Sequence, residues 1–116
     1  MIPRVDVILG PSASGKSAAA LIVAEKIGGE IVVADSMKVY RGMDVGTAKP
    51  SAEARARVPH HLVDVLEPEE SFSVKRFVDL ADEAVAGIVS RGRRPLVVGG
   101  SALYLKAFMD GIFGIT

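Results

Sequence analysis

The apolar residues of the chain gather into short runs that are separated by segments rich in glycine and polar residues. Val5–Leu9, Ile31–Ala34 and Leu96–Val98 are such runs, and their brevity is typical of buried strands in a parallel sheet. Between the first two runs, Ser17–Lys26 consists mainly of good helix formers and predicts a helix that ends near Gly28. A strand, a helix and a second strand within about 30 residues predict a right-handed crossover unit.

The second half of the chain carries a clear helical periodicity. Apolar residues recur at intervals of three and four over Val74–Val89, which is the stripe of an amphipathic helix. Ser71 or Ser73 is a candidate N-cap for this helix, and Gly92 is a candidate end. Other patterns predict a short helix, a third strand and a last helix at Ser51–Arg57, Leu62–Leu66 and Ala102–Met109. The alternation predicts an α/β fold with a mainly parallel sheet flanked by helices.

The composition fits one globular domain. The chain has 116 residues, of which 49% are hydrophobic, enough for one core but not for two independent ones. We therefore expect a single domain over residues 1–116, and a monomer. The 14 Lys and Arg residues balance the 14 Asp and Glu residues, so the chain lacks the basic excess of a protein that binds nucleic acid unaided.

The sequence carries no sign of export or membrane insertion. It has no cysteine, which excludes disulfides and zinc-thiolate sites and favours a cytoplasmic protein. The longest uncharged stretch, Pro95–Leu105, is shorter than the roughly 20 apolar residues that a membrane helix needs. Because the sequence stops in the apolar segment Gly111–Thr116, we expect it to be the amino-terminal part of a longer chain.

One segment matches a phosphate-binding motif. Gly10–Ser17 fits the pattern G-x-x-x-x-G-K-[ST] and lies between a predicted strand and a predicted helix, where this motif occurs. Its glycines allow backbone N–H groups and the positive end of the helix to face a phosphate, and Lys16 adds a cation. The Ser17 hydroxyl is a suitable ligand for Mg²⁺. The motif predicts a di- or triphosphate ligand bound by Gly10, Ser12, Ala13, Ser14, Gly15, Lys16 and Ser17.

Asp35 follows the second predicted strand directly. In an open α/β sheet the carboxyl ends of the strands line the ligand crevice, so a carboxylate here is a candidate functional group. It is a candidate Mg²⁺ ligand, as in a kinase, or a proton acceptor, and the simpler alternative is a turn or N-cap residue. The irregular segment Ser36–Pro50 that follows is a candidate for substrate contact, because loops of this length are often functional.

Four blocks of the sequence together resemble the amino-terminal portion of the tRNA dimethylallyltransferases, the isopentenyltransferases that modify tRNA adenosine. In chain order the blocks are Gly10–Ser17, Asp35-Ser36 with Tyr40 and Gly42–Pro50, Pro59–Asp64, and Val98–Ser101 with Leu103-Tyr104. The resemblance runs from about residue 5 to residue 111. The four blocks in this order are far more specific than the phosphate motif alone.

The resemblance implies that the phosphate loop binds dimethylallyl diphosphate instead of ATP, with Mg²⁺ as cofactor. It implies that Asp35 is the general base for the N6 amine of an adenosine beside the tRNA anticodon, and that Lys16 and Ser101 act on the departing diphosphate. Ser101 stands where the family often has threonine, so the hydroxyl is kept. Contacts with the target nucleotide of the anticodon loop are implied for Asp35, Ser36, Met37 and Lys38.

Three alternatives stay open at this point. The first, within the same family, is an isopentenyltransferase that acts on free adenine nucleotides; sequence beyond residue 116 would discriminate, since a tRNA enzyme needs a further helical region to grip the anticodon stem. A P-loop small-molecule kinase would use Asp35 as a metal ligand instead of a base. A third reading is a fragment that is inactive alone because part of its active site belongs to a missing portion of the chain.

Two adjacent histidines and two aspartates have no role assigned by the motifs. His60 and His61 point to opposite faces if the chain is extended there, so we expect structural roles, or polar neighbours of the loop, and no zinc site. Asp44 and Asp64 are candidates to support the site, and the sequence does not decide between them.

The remaining basic and aromatic residues have simple explanations. A small basic cluster at the end of the long helix, where cations suit the helix dipole, is predicted to be solvated: Arg91, Arg93 and Arg94. Two aromatic residues four positions apart, Tyr104 and Phe108, are predicted to pack in the core.

Overall fold

A computed structural model of the chain describes residues 6–9, 16–35, 39–42, 49–71 and 73–99, with the backbone alone at 6–9, 16 and 17. Strands and helices alternate along these residues, which confirms the predicted α/β class. In chain order the elements are β1 (Asp6–Leu9), α1 (Lys16–Ile27), β2 (Gly29–Ala34), α2 (Ala52–Arg57), β3 (His60–His61), α3 (Val74–Ser90) and β4 (Arg94–Gly99).

The four strands pair in the order β1-β4-β2-β3, and every pair is parallel. Parallel strands need a crossover between them, which α1 supplies between β1 and β2 and α3 supplies between β3 and β4. In the register, Gly99 of β4 lies opposite both Leu9 of β1 and Ala34 of β2. The carboxyl ends of these three strands therefore meet at one edge of the sheet.

Apolar side chains cover both faces of the central strands. Because alternate residues of a strand point to opposite faces, Ile31 and Val33 pack on the α1 side, while Val32 and Ala34 pack on the α3 side. The α3 side is filled by the buried stripe of that helix, Phe77, Ala81, Val85 and Ile88. Burial on both faces explains why β2 and β4 have nearly continuous apolar sequences.

The helix ends follow the predicted capping residues. Ser73, and not Ser71, caps α3, because its Oγ accepts a hydrogen bond from the N–H of Arg76 at 3.1 Å. Gly92 follows the helix with a φ of 74°, a left-handed conformation that favours glycine. At 17 residues α3 is the longest described helix, and none of the described helices is long and apolar enough to cross a membrane.

The prediction of a third strand at Leu62–Leu66 is wrong. The strand is His60–His61, which pairs with the first half of β2. Leu62 and Asp64 have φ values of 68° and 56°, which end the extended conformation. Leu62 and its neighbour Val63 are both buried, but in the cores on opposite sides of the sheet. The apolar run thus belongs to an irregular segment that fills two cores.

Glu30 is a buried carboxylate at the amino end of β2, with its side chain 3% exposed. Arg91 donates from Nε to Oε2 at 3.2 Å and from Nη2 to Oε1 at 2.6 Å. Nε of Arg93 lies 3.3 Å from Oε2, and Nε2 of His61 lies 2.7 Å from Oε1. Burial by itself raises the pKa of Glu30, but the hydrogen bonds from Arg91 and His61 outweigh it and the pKa lies below its usual value.

This cluster corrects the prediction of a solvated arginine group at the end of α3. The guanidinium groups of Arg91 and Arg93 are partly exposed, but both pair with the buried Glu30, and Arg94 belongs to β4. A buried carboxylate is stable only when it is paired, which is why two cations converge on it. The sequence hides the pairing because Glu30 precedes Arg91 by 61 residues.

We predict that Glu30→Gln lowers the free energy of unfolding by about 2 kcal/mol, because it leaves Arg91 and Arg93 without a compensating charge. Glu25→Gln is the matched control, since Glu25 pairs with Arg57 at the surface, where such a pair contributes about 0–1 kcal/mol. Urea denaturation at pH 7 measures both values. Equal losses in the two variants would contradict a stabilising role for the buried cluster.

Candidate functional site

Asp35 is the first residue after β2 and lies half-buried at the carboxyl edge of the sheet, as the sequence predicts. It lines the same cavity as Ile31 and Val33, so it continues the α1 face of the strand. Beside it, β4 ends at Gly99, where an added Cβ would come within 2.7 Å of the Cβ of Ala34. Glycine at this position therefore permits a close approach of the two strand ends.

A cavity of about 260 Å³ lies against Asp35, between α1 and the sheet. Most of its lining is apolar and comes from α1 and the two central strands: Ala18, Ala20, Leu21, Ile31, Val33 and Val98. The end of the predicted contact loop and the start of α2 add Lys49, Pro50, Ser51 and Ala54 to the lining, and the strand residues His60 and Gly99 also belong to it. Since α1 begins at Lys16 and Ala18 lines the cavity, the cavity reaches the first turn of this helix. An apolar cavity with one carboxylate at this edge suits a ligand with an apolar part and a reacting polar group.

Lys49 is a nearly buried cation in the lining of this cavity, with its side chain 9% exposed. Its Nζ donates to Oδ1 of Asp64 at 2.5 Å and to the backbone carbonyl of Tyr40 at 2.6 Å. The other carboxylate oxygen of Asp64 accepts a hydrogen bond from Nη1 of Arg55 at 3.0 Å. The hydrogen bond from Lys49 is the main cause that holds the pKa of Asp64 below its usual value, and Arg55 adds to it. Asp64 thus joins the segment at Lys49 to the helix α2.

The described residues in the first half of the loop Ser36–Pro50 are anchored to the segment after β3. Tyr40 forms a parallel bridge with Leu66, and its hydroxyl donates to the carbonyl of Glu70 at 2.9 Å. Val39 is buried, and its carbonyl accepts hydrogen bonds from the N–H groups of Val65 and Leu66 at 2.8 and 3.0 Å. These contacts fix residues 39–40 to that segment, whereas residues 36–38 and 43–48 of the loop lie outside the described residues.

Only some of the predicted site residues fall within the described part of the chain. Asp35 does, and Lys16 and Ser17 begin α1, which confirms that a helix starts at the end of the phosphate motif. The other predicted residues lie outside the described ranges: Gly10, Ser12, Ala13, Ser14, Gly15, Ser36, Met37, Lys38, Asp44, Ser101, Tyr104 and Phe108, as does the predicted helix Ala102–Met109.

The structure gives definite places to three residues whose roles the sequence left open. Lys49 and Asp64 form an ion pair, and His60 lines the cavity. All three residues lie within the blocks that resemble the family. Neither the periodicity nor the spacing of the sequence predicts that Lys49 pairs with Asp64, which is 15 residues away.

The two histidines point to opposite sides of β3, as expected. Nδ1 of His60 lies 2.7 Å from the carbonyl of Val58, whereas His61 reaches Glu30 on the α3 side. Among the residues that the structure describes, no group of three or more His, Cys, Asp or Glu side chains is placed to hold a metal ion.

We predict that Asp64→Asn lowers the free energy of unfolding by about 1–2 kcal/mol at pH 7, because the nearly buried Lys49 loses its anionic partner. The pKa of Asp64 is lower in the folded chain than its ordinary value of 3.8, so this stabilisation is complete above that value and is lost as the pH falls through the folded pKa. Urea denaturation from pH 7 to pH 2 should therefore show the difference from wild type shrinking in acid. Asp79→Asn, at an exposed pair with Lys75, should show little difference at any pH.

Comparison with known proteins connects this geometry to one family. Residues 38–115 match the family model described as IPP transferase. A tRNA dimethylallyltransferase of Anaeromyxobacter sp. (strain K) is 57% identical over 109 residues, which cover 94% of this chain and 36% of that protein. The chain therefore spans about a third of the length of the curated relatives that it matches.

Solved structures give the same result. The full-length tRNA isopentenylpyrophosphate transferase of Bacillus halodurans is similar with a TM-score of 0.89 and 47% identity, over 93% of this chain and 36% of that one. A eukaryotic dimethylallyltransferase acting on tRNA is similar with a TM-score of 0.86 and 34% identity, over 90% of this chain and 26% of that one. The chain has the P-loop NTPase-like fold of these transferases. It belongs to the IPP transferase family.

Proposed function

We propose that this chain is the amino-terminal catalytic part of a tRNA dimethylallyltransferase, which moves a dimethylallyl group from dimethylallyl diphosphate to the N6 amine of an adenosine next to the anticodon. The observation that carries the proposal is the place of Asp35, a half-buried carboxylate at the carboxyl edge of a parallel sheet, in a mainly apolar cavity beside the start of α1. The family of the chain and the names of its relatives support the same activity.

The phosphate loop supplies the diphosphate site in this proposal. The helix α1 begins at Lys16, so its first N–H groups and its positive dipole end face the end of the loop. The loop residues Gly10, Ser12, Ala13, Ser14 and Gly15 would add backbone donors, and Lys16 a cation. These groups stabilise the negative charge that grows on the diphosphate as the allylic carbon–oxygen bond breaks. Ser101, which follows the carboxyl end of β4, would add a hydroxyl.

Magnesium fits the donor types at this edge of the sheet. Ser17 stands in the first turn of α1 and Asp35 at the end of β2, and hydroxyl and carboxylate oxygens are ligands that this hard cation prefers. We assign the ion to the Ser17 hydroxyl and the diphosphate oxygens, with Asp35 left for the amine. The ion would neutralise part of the charge of the leaving group.

Asp35 is the general base in this proposal. The N6 nitrogen of adenine forms a bond to the allylic carbon, the bond from that carbon to the diphosphate oxygen breaks, and the N6 proton passes to Asp35. The amine is a weak nucleophile because its lone pair is delocalised into the ring, and a base within reach contributes about 10²- to 10⁴-fold. The apolar cavity excludes water from the allylic group, and Ser36, Met37 and Lys38 would contact the tRNA nucleotide, which leaves its stack to enter.

We predict that the full-length protein transfers the dimethylallyl group to an unmodified tRNA anticodon stem-loop and releases diphosphate. Mass spectrometry of the RNA and a diphosphate assay measure the two products. Dimethylallyl diphosphate should compete with inorganic diphosphate at least about 10-fold better than ATP does, a difference of about 1.4 kcal/mol. Phosphorylated product from ATP would instead establish a kinase, and transfer to free adenine nucleotides but not to the stem-loop would establish the nucleotide enzyme.

We predict that Asp35→Asn lowers turnover by about 10²-fold or more, because the amide keeps the size of the side chain but accepts no proton. The affinities for diphosphate and for Mg²⁺ should change little. Asp79→Asn, at the exposed pair with Lys75, is the matched control and should keep full activity. A variant that binds diphosphate poorly and regains its turnover at high Mg²⁺ would show that Asp35 is a metal ligand and not the base.

A further inference from the structure

Lys49 connects two parts of the loop Ser36–Pro50. Its Nζ donates a hydrogen bond at 2.6 Å to the backbone carbonyl of Tyr40, which lies nine positions earlier in the chain. The lysine side chain is nearly buried, and a hydrogen bond from a charged donor is stronger where water is largely excluded. The contact therefore fixes the position of Tyr40 relative to Lys49.

The same ammonium group is bound to a second segment through Asp64. Oδ1 of Asp64 accepts a hydrogen bond from Nζ of Lys49 at 2.5 Å, and Oδ2 accepts one from Arg55 of α2 at 3.0 Å. The preceding residue, Val63, is buried in the core on the α1 side of the sheet, so Asp64 has a fixed base. A nearly buried cation needs such a partner, because an unpaired charge is costly away from water. Asp64 thus holds Lys49 in the place from which it reaches Tyr40.

Tyr40 lies just beyond the segment that the proposed function assigns to the target nucleotide. Residues 36–38 connect Asp35, which follows β2, to Val39 and Tyr40. The strand register fixes the Asp35 end of this connection. The backbone contacts of Val39 and Tyr40 with the segment after β3, together with the hydrogen bond from Lys49, fix the other end. The positions of its two ends limit the conformations that a short connection can adopt.

We propose that Lys49 is a positioning residue for the tRNA substrate: its hydrogen bond to Tyr40 fixes the end of the segment 36–38 and so presents that segment to the target nucleotide. This inference rests on the proposed function, since it assumes that residues 36–38 contact that nucleotide. Lys49 also lines the cavity beside Asp35, so the alternative is a direct contact of its ammonium group with the diphosphate of the donor. The hydrogen bonds to Asp64 and Tyr40 favour positioning, because they commit two of the three ammonium protons to the protein.

RNA binding by the full-length protein tests this role without turnover. Fluorescence anisotropy measures the affinity for two anticodon stem-loops, one with the target adenosine and one in which that nucleotide lacks its base. The wild type should bind the complete stem-loop about 5-fold or more tightly than the abasic one, since contacts with one base contribute about that much. Lys49→Met should reduce this ratio by about twofold or more, because methionine keeps the length of the side chain but donates no hydrogen bond to Tyr40.

Two further variants separate positioning from stability. Arg55→Met is the matched control, because it removes the other cation that pairs with Asp64 but leaves the hydrogen bond from Lys49 to Tyr40, so it should keep the wild-type ratio. The double variant with Lys49→Met and Asp64→Asn removes both charges of the pair, so no carboxylate is left without its lysine, and it should show the same ratio as Lys49→Met. The ratio compares two RNAs on one sample, so partial unfolding of a variant does not change it.

Hydrogen exchange of the free protein measures the fixation itself. The N–H of Arg41 donates to the carbonyl of Leu66 at 2.9 Å, directly after Tyr40. In Lys49→Met this amide should exchange about 10-fold faster, because the neighbouring carbonyl loses a hydrogen bond from a charged donor. The amides of β4 should exchange as in the wild type. The affinity for dimethylallyl diphosphate, measured by calorimetry, should stay within about twofold of the wild type.

The outcomes distinguish this proposal from the proposed function. Equal binding of the two RNAs by the wild type, an unchanged ratio in Lys49→Met, an equal fall in Arg55→Met, or unchanged exchange at Arg41 overturns the positioning role. A loss of about 10-fold or more in the affinity of Lys49→Met for dimethylallyl diphosphate also overturns it and assigns Lys49 to the donor. If the wild type transfers no dimethylallyl group to the stem-loop, the proposed function fails. A lower ratio and faster exchange at Arg41 in Lys49→Met would still support positioning in that case.

Discussion

The parallel pairing of β2 with β4 runs without interruption from Gly29 opposite Arg94 to Ala34 opposite Gly99. Each strand is buried on both faces, so the register is set by side chains that must fit two cores at once. A shift of one residue would exchange the two faces, so each apolar side chain would have to fit the core on the opposite side of the sheet. This constraint brings the end of β2, and Asp35 after it, beside the end of β4. The site exists because the central pair of strands ends in register.

Two carboxylates connect separate segments of the chain through ion pairs, in addition to the packing of the apolar cores. Glu30 joins β2 to β3 and to the segment after α3, and Asp64 joins the segment at Lys49 to α2. Glu30 is partnered by Arg91 and Arg93 at the surface and by His61, and Asp64 by the nearly buried Lys49 and the exposed Arg55. Such clusters contribute specificity of packing, since any other arrangement would leave a buried charge unpaired. The Asp64 cluster has a direct bearing on the site, because Lys49 belongs to the cavity lining.

The cavity combines features that have different origins. Its apolar lining comes from α1 and from the face of the sheet that packs against α1, as packing requires in any α/β protein. Two lining residues of α1, Ala18 and Ala20, are small and leave space that larger side chains would fill. Its carboxylate comes from the end of β2, and β3 contributes His60 to the lining. The proposed donor, with an anionic head and a short apolar chain, suits a mainly apolar cavity beside the start of α1.

The sequence by itself determined the elements whose signals are local. The crossover from β1 to β2, the stripe and caps of α3, and the position of Asp35 at a strand end all follow from periodicity and from residues that are near neighbours in the chain. The family-like blocks likewise indicated the family from residues alone. None of these features needs knowledge of distant contacts.

The tertiary structure alone decided the features that depend on residues far apart. The apolar run Leu62–Leu66 resembles a strand, but burial in two cores and the left-handed backbone at Leu62 and Asp64 override that pattern. The arginines after α3 resemble a solvated helix end, yet a carboxylate 61 residues earlier in the chain pairs with Arg91. The ion pair of Lys49 with Asp64 and the place of His60 in the lining of the cavity depend in the same way on where the fold sets β3. Local patterns reflect the conformational preference of each residue. These contacts arise instead because each buried charge in a compact fold needs a partner and each apolar side chain needs a place in a core.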